Sequence, residues 1–192
     1  MIPPARAALD ELLAGNARFR AGNSETHKYS LDQIRNIARE QHPIAAVIAC
    51  MDSRVTPEII FDQPLGNIFT SRVPGNVASD SAKWMLEISV GELHVPLVVV
   101  VGHTGCLAVG QLLDGDKGGP GGPLRQEIAF AVFEARSKNP EDIYREAVIQ
   151  NARLTVKKLL RDSLVVSNAA REGRLEIVSA LYEMETGEVR LV

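Results

Sequence analysis

The stretch Pro96 to Cys106 reads PLVVVVGHTGC, and it sets the fold class. Four consecutive valines, Val98 to Val101, carry no polar alternation. A strand of that kind is buried on both faces, as the inner strands of parallel sheets are. The run is too short for a core helix, and Gly102 closes it. Directly after it come an imidazole, His103, and a thiol, Cys106. Reactive groups therefore stand where a buried strand stops.

A second stretch repeats the arrangement. In VIACMDSRV, Val47 to Val55, an apolar run ends and a thiol (Cys50), a carboxylate (Asp52) and a guanidinium (Arg54) follow within five residues. Sites on parallel sheets gather at the carboxyl ends of strands, where loops converge. If the two strands are neighbours, Cys50, Asp52, His103 and Cys106 meet at one edge. A lone cysteine at a strand end is ordinarily core packing, and a lone histidine ordinarily a hydrogen-bonded structural one. Both of the chain's cysteines at such ends, one of them in H-x-x-C, point instead to a metal. Zinc takes two thiolates and an imidazole in tetrahedral geometry, leaving a fourth position for water or for Asp52. Asp52 and Arg54, two apart on an extended segment, project to the same side and can pair.

The rest of the chain supplies the frame. AALDELLAGNARFRAG reads as an N-terminal helix, and SLDQIRNIAREQ as a second, opened by Ser30 and ended before Pro43. PIAAVIAC and NIFTSRV read as strands, with PGN a turn after the latter. SDSAKWMLEISVGELHV is a helix with Trp84, Ile88 and Leu93 at helical spacing. CLAVGQLLDG and LRQEIAFAVFEARS are helical, and the Gly- and Pro-rich DGDKGGPGGP between them is a mobile loop by composition. NPEDIYREAVIQNARLTVKKLL is a long helix capped by Asn139, with Val148, Ala152, Val156 and Leu159 on one face. RLEIVSALYEMETGEVRLV gives two strands around a turn at Thr186-Gly187. Apolar strands separated by helices predict an α/β fold with a mostly parallel central sheet flanked by helices. The expectation is a single domain over 1–192, with an N-terminal helical arm over about 1–40.

Composition bounds the partners. With 24 acidic and 21 basic residues the formal net charge is −3, and no block of Lys and Arg offers a nucleic acid or an anionic membrane a surface. No run approaches a membrane span, and the N-terminus lacks the apolar stretch of a signal peptide. These features predict a cytoplasmic protein whose two cysteines are buried, metal-bound or catalytic rather than disulfide-bonded. His27, His42 and His94 have no reactive neighbours and read as structural or exposed. Other motifs fail: only three residues separate Cys50 from Arg54, too few for a phosphatase loop, and GDKGGPGG lacks the G-K-[ST] of a P-loop.

The pair CMDSRV and GHTGC resembles the C-x-D-S-R and G-H-[ST]-x-C motifs of β-class carbonic anhydrases. Similarity extends over nearly the whole chain, through FTSRVPGNVASD, LEISVGELHVPLVVVVGHTGC and LEIVSALYEMETGEV. The resemblance implies a zinc on Cys50, His103 and Cys106, with Asp52 a fourth ligand in a closed state only. It implies reversible hydration of carbon dioxide to bicarbonate by zinc-bound hydroxide, oriented by the Asp52–Arg54 dyad. It further implies Gln63 and Gly75 at the substrate pocket, and a homodimer or dimer of dimers with the site near the subunit contact. Val47 stands where some bacterial members carry a regulatory Trp, so that regulation is expected to be absent. Two departures bear on the pocket: Leu107 replaces the usual Gly after the second zinc cysteine, and Ile88 replaces an aromatic. Leu107 is expected either to pack beneath the helix CLAVGQLL or to narrow the pocket. Hydrolysis of carbonyl sulfide or carbon disulfide on the same fold, and a non-catalytic zinc scaffold, are the alternative functions.

Overall fold

A computed structural model describes residues 1–25, 28–115, 118 and 121–192. His27 and much of the Gly- and Pro-rich loop lie outside the described residues. The elements in chain order are α1 (Pro3–Arg20), α2 (Leu31–Ile37), β1 (Ala45–Cys50), α3 (Pro57–Ile60), β2 (Ile68–Val73), α4 (Asp80–Gly91), β3 (Leu97–His103), α5 (Leu107–Leu113), α6 (Gly122–Ser137), α7 (Ile143–Asp162), α8 (Leu164–Arg171), β4 (Glu176–Glu183) and β5 (Glu188–Leu191). A single 3-10 turn, Pro74–Asn76, follows β2.

The strands form one sheet in the order β2-β1-β3-β4-β5. The first four are parallel, and β5 returns antiparallel through the Thr186-Gly187 turn. β1 and β3 are direct neighbours, with Ala49 opposite Val101. Burial on both faces holds as the valine run predicts. Val98 and Val100 join Ala46 and Ile48 in the core under α4 to α8, while Val99 and Val101 join Val47 and Ala49 in the core on the other face. α1 closes that second face with Ala5, Leu9 and Leu12. Arg18 on α1 reaches the buried carboxylate of Asp62 at 2.6 Å, tying α1 to the loop before β2.

Four local expectations are corrected. α2 is capped by Ser30, with Gln33 completing a capping box, but it ends at Ile37, well short of Pro43. No residue of α2 is buried, so nothing holds a further turn. The face of α4 that packs is Ala82, Leu86, Ser89 and Val90, whereas Trp84 is 68% exposed and Ile88 lies on the outer side. α7 is capped by Asp142, which accepts from the Arg145 N–H at 2.9 Å. Asn139 instead adopts φ 44° just past the end of α6, where its N–H donates to the Arg136 carbonyl at 3.1 Å. Two short helices, α3 and α8, stand where no helix was read.

Candidate metal and catalytic centre

The register of β1 and β3 brings the two reactive strand ends together. Cys50 is the last residue of β1 and His103 the last of β3. The sharp turn at Gly105, φ 70°, then returns the chain so that Cys106 caps α5. All three side chains are buried, at 4%, 0% and 1% exposure. Their ligand atoms lie within 4.8 Å of one another, and the two sulfurs are 4.0 Å apart. Two thiolates on one tetrahedral zinc stand about 3.8 Å apart, given bonds of about 2.3 Å.

The imidazole gives an independent test of the fit. His103 Nδ1 lies 2.8 Å from the Thr104 carbonyl, an acceptor only, so Nδ1 carries the proton. Nε2 then holds a lone pair, is fully buried, and has no hydrogen-bond partner among the described residues. Leaving such an atom unsatisfied costs roughly 1–3 kcal/mol. A metal ion between the two sulfurs and Nε2 satisfies it, and the carbonyl on Nδ1 fixes the tautomer as ligating histidines require. Without a metal the two thiols perturb each other in opposite directions. The Cys106 thiol hydrogen-bonds Cys50 and pulls its pKa down, helped by His103 and by the peptide N–H groups of Asp52 and Gly75. The same interaction, with burial, pushes Cys106 up.

Asp52 stands beside this cluster and outside it. Its carboxylate accepts from Arg54 through Nε at 2.9 Å and Nη2 at 2.8 Å, and from the Arg54 peptide N–H at 3.0 Å. The Arg54 side chain, first among the causes, holds the carboxyl well below the usual range. The pairing expected from the spacing is therefore present, and the metal cluster among the described residues is three-membered.

The other anticipated positions fall unevenly. Gly75 lies at the site with φ 61°, its N–H directed at the Cys50 sulfur. Gln63 is buried and engaged locally: its amide donates to the Phe61 carbonyl at 2.8 Å and its oxygen accepts from Asn67 at 2.5 Å. Leu107 does not pack beneath α5; it is 71% exposed. As the first residue of that helix it points away from the core formed by Val109 and Leu112. Two residues at the site were missed. Arg72 on β2 donates to the carbonyls of Cys50, Met51 and Asp52, at 3.3, 3.2 and 2.5 Å. Tyr144 on α7 donates to the Cys106 carbonyl at 2.5 Å. Arg72 sits one residue from the end of β2, the neighbour of β1, which is the only signal the sequence offers for it.

A family model described as carbonic anhydrase matches residues 45–189, which span both cysteines and His103. The chain belongs to the carbonic anhydrase family. Carbonic anhydrase 2 of Mycobacterium tuberculosis is 35% identical over 190 residues, covering 96% of this chain and 91% of the relative. A carbonic anhydrase of Mycolicibacterium smegmatis is 33% identical, covering 96% and 92%. Among solved structures, the β-carbonic anhydrase CafA of Aspergillus fumigatus superimposes with a TM-score of 0.74 at 25% identity, covering 96% of this chain and 90% of that one. The family is the β class, whose members are zinc enzymes that hydrate carbon dioxide.

Proposed function

We propose that Cys50, His103 and Cys106 hold the zinc of this carbonic anhydrase and that Asp52 and Arg54 complete its catalytic site. The observation that carries the assignment is the Asp52 carboxylate gripped by Arg54 beside an otherwise complete Cys-His-Cys cluster. Zinc bound there supplies Lewis-acid activation of water at neutral pH. The chain's own residues do the rest. Asp52, kept ionised by Arg54, accepts a hydrogen bond from the attacking water and turns its lone pair toward carbon dioxide. An ionised carboxylate is an acceptor only, so the water is oriented one way. Arg54 also restrains Asp52 from becoming a fourth metal ligand, the closed state. Gly75 keeps the backbone beside Cys50 free of a side chain. For Gln63 the support is the resemblance; its N–H toward Glu11 is long, at 3.4 Å, and is the donor a substrate oxygen can recruit.

The same reading extends to assembly and place. Trp84, Phe130, Phe133 and Leu164 are large apolar side chains left exposed on helices, which supports a homodimer or a dimer of dimers. The two unpaired thiols support a cytoplasmic, reducing setting, and among the described residues no helix is long and apolar enough to cross a membrane. Stopped-flow hydration of carbon dioxide, on protein with zinc verified at one per chain, tests the assignment. Parallel assays with carbonyl sulfide and carbon disulfide read the preference among linear triatomics. Zinc-loaded protein that hydrates carbon dioxide no faster than buffer would refute the catalytic roles. Sedimentation equilibrium at twice or four times the mass of one chain tests the assembly.

A further inference from the structure

Tyr144 is not part of the cluster, yet two contacts of its own, and one of Val148 a turn further on, tie this stretch of α7 to it. Its hydroxyl donates to the carbonyl of Cys106 at 2.5 Å. Gly110, one turn into α5, lies against its ring; a Cβ on Gly110 would stand 3.3 Å from Tyr144 Cε2 and 3.7 Å from its Oη. One turn further along α7, Val148 packs on β3 so closely that a Cβ on Gly102 would stand 3.0 Å from its Cγ1. Gly102 immediately precedes His103. One stretch of α7, Tyr144 to Val148, thus rests on the residue beside the imidazole ligand and holds the carbonyl of the second thiolate ligand.

We infer that Tyr144 is a positioning residue of the metal centre: by fixing the Cys106 carbonyl against α7, it sets the direction of the Cys106 sulfur relative to Cys50 and His103. The inference rests on the assignment of these three residues as zinc ligands. A hydrogen bond to a ligand's own backbone acts as outer partners of metal ligands do, where loss typically weakens metal binding about 10- to 100-fold. The Cys106 carbonyl also accepts the first helical bond of α5, from Gly110 N–H at 3.0 Å, so the helix itself persists without the tyrosine.

Tyr144→Phe keeps the ring on Gly110 and removes only the hydroxyl. Zinc affinity of the full chain is read by competition with a chromogenic chelator. The geometry is read separately from the thiolate-to-cobalt absorption of the cobalt-substituted protein. The expected result is zinc bound about tenfold more weakly with a shifted cobalt band. Gly110→Ala provides a second arm, because it raises helix propensity in α5 yet pushes the Tyr144 ring by a few tenths of an ångström. It is expected to loosen zinc even where it raises the melting temperature. Zinc affinity within twofold of the parent and an unchanged cobalt band in Tyr144→Phe would overturn the inference, whatever happens to stability. A parent chain that holds no zinc would instead refute the ligand assignment on which it rests.

Discussion

Arg54 grips both carboxylate oxygens of Asp52, Nε on Oδ1 at 2.9 Å and Nη2 on Oδ2 at 2.8 Å. Two parallel bonds from a planar fork fix orientation as well as charge. Asp52→Asn should keep one zinc per chain but lose about a hundredfold or more in kcat/KM, since an N–H then stands where an acceptor is needed. Arg54→Lys should lose part of the activity, because a point charge cannot hold both oxygens. Parent-like hydration rates in Asp52→Asn would remove the dyad from the mechanism.

Metal removal should be visible in the thiols. Cys50 and Cys106 are 4% and 1% exposed, and a ligated thiolate is protected further. Zinc-loaded protein should show no fast-reacting thiol, and chelated protein should gain one, Cys50, whose pKa is lowered, while Cys106, with its pKa pushed up, stays slow. The melting temperature should fall with the loss of zinc, because a ligand bound only to the folded chain stabilises it by about 4 kcal/mol at a thousandfold excess over Kd. Identical melting curves with and without chelator would refute a structural contribution from the metal.

Leu107 tests what exposure means for a leucine directly after a member of the Cys-His-Cys cluster. A buried leucine cut to alanine costs about 2–5 kcal/mol, but a side chain 71% exposed should cost within about 0.5 kcal/mol. Leu107→Ala should therefore unfold at nearly the parental denaturant midpoint when dilute. A penalty that appears only as protein concentration rises would show that a second subunit covers the residue. A large penalty at every concentration would contradict the exposed placement.

What could be read before the structure follows from how local each signal is. The valine run of β3 encodes its burial in its own composition, and H-x-x-C after a buried strand places two members of the metal-competent cluster at once. The neighbourhood of β1 and β3 entered only as a condition, because a buried strand can take any inner place in a parallel sheet, and the register supplied it. The outward turn of Trp84 and Ile88 was not legible either, because periodicity marks a stripe without saying which stripe faces the sheet. Small residues, Ala82 and Ser89, line the inner face of α4 instead. Asn139 and Asp142 are both competent caps by type, and only the backbone distinguishes them. Tyr144 was illegible because its partner lies 38 residues away, with no pattern to connect them.

The pH dependence of stability should show a group remote from the site. Asp162, at the end of α7, pairs with Arg161 and Lys158, both at 2.6 Å, and the bond from Arg161, then that from Lys158, lowers its pKa. A carboxyl lowered in the folded state stabilises above its unfolded pKa, near 3.9, and that contribution is lost as pH falls through the folded value. Asp162→Asn should thus cost about 0.2–1 kcal/mol at pH 7, as partly exposed pairs do. The gap from the parent should narrow below about pH 4. A gap that widens on acidification would have the wrong sign.

Gly75 carries the closest contact at the site's edge. Its φ is 61°, and a Cβ there would stand 2.7 Å from Ile128 Cδ1 on α6. Gly75→Ala therefore meets two penalties, the left-handed backbone and the clash, together about 1–3 kcal/mol. The second penalty belongs to one removable atom. Ile128→Val deletes Cδ1 and alone costs about 0.5–1.5 kcal/mol. If the clash dominates, the double variant should be more stable than the sum of the single losses predicts, by about 0.5 kcal/mol or more, as coupled neighbours are. Because the Gly75 N–H faces the Cys50 sulfur, zinc affinity should fall in Gly75→Ala and recover in part in the double variant. Additive losses in chemical denaturation would assign the cost to the backbone alone, and zinc affinity unchanged in all three variants would separate Gly75 from the metal centre.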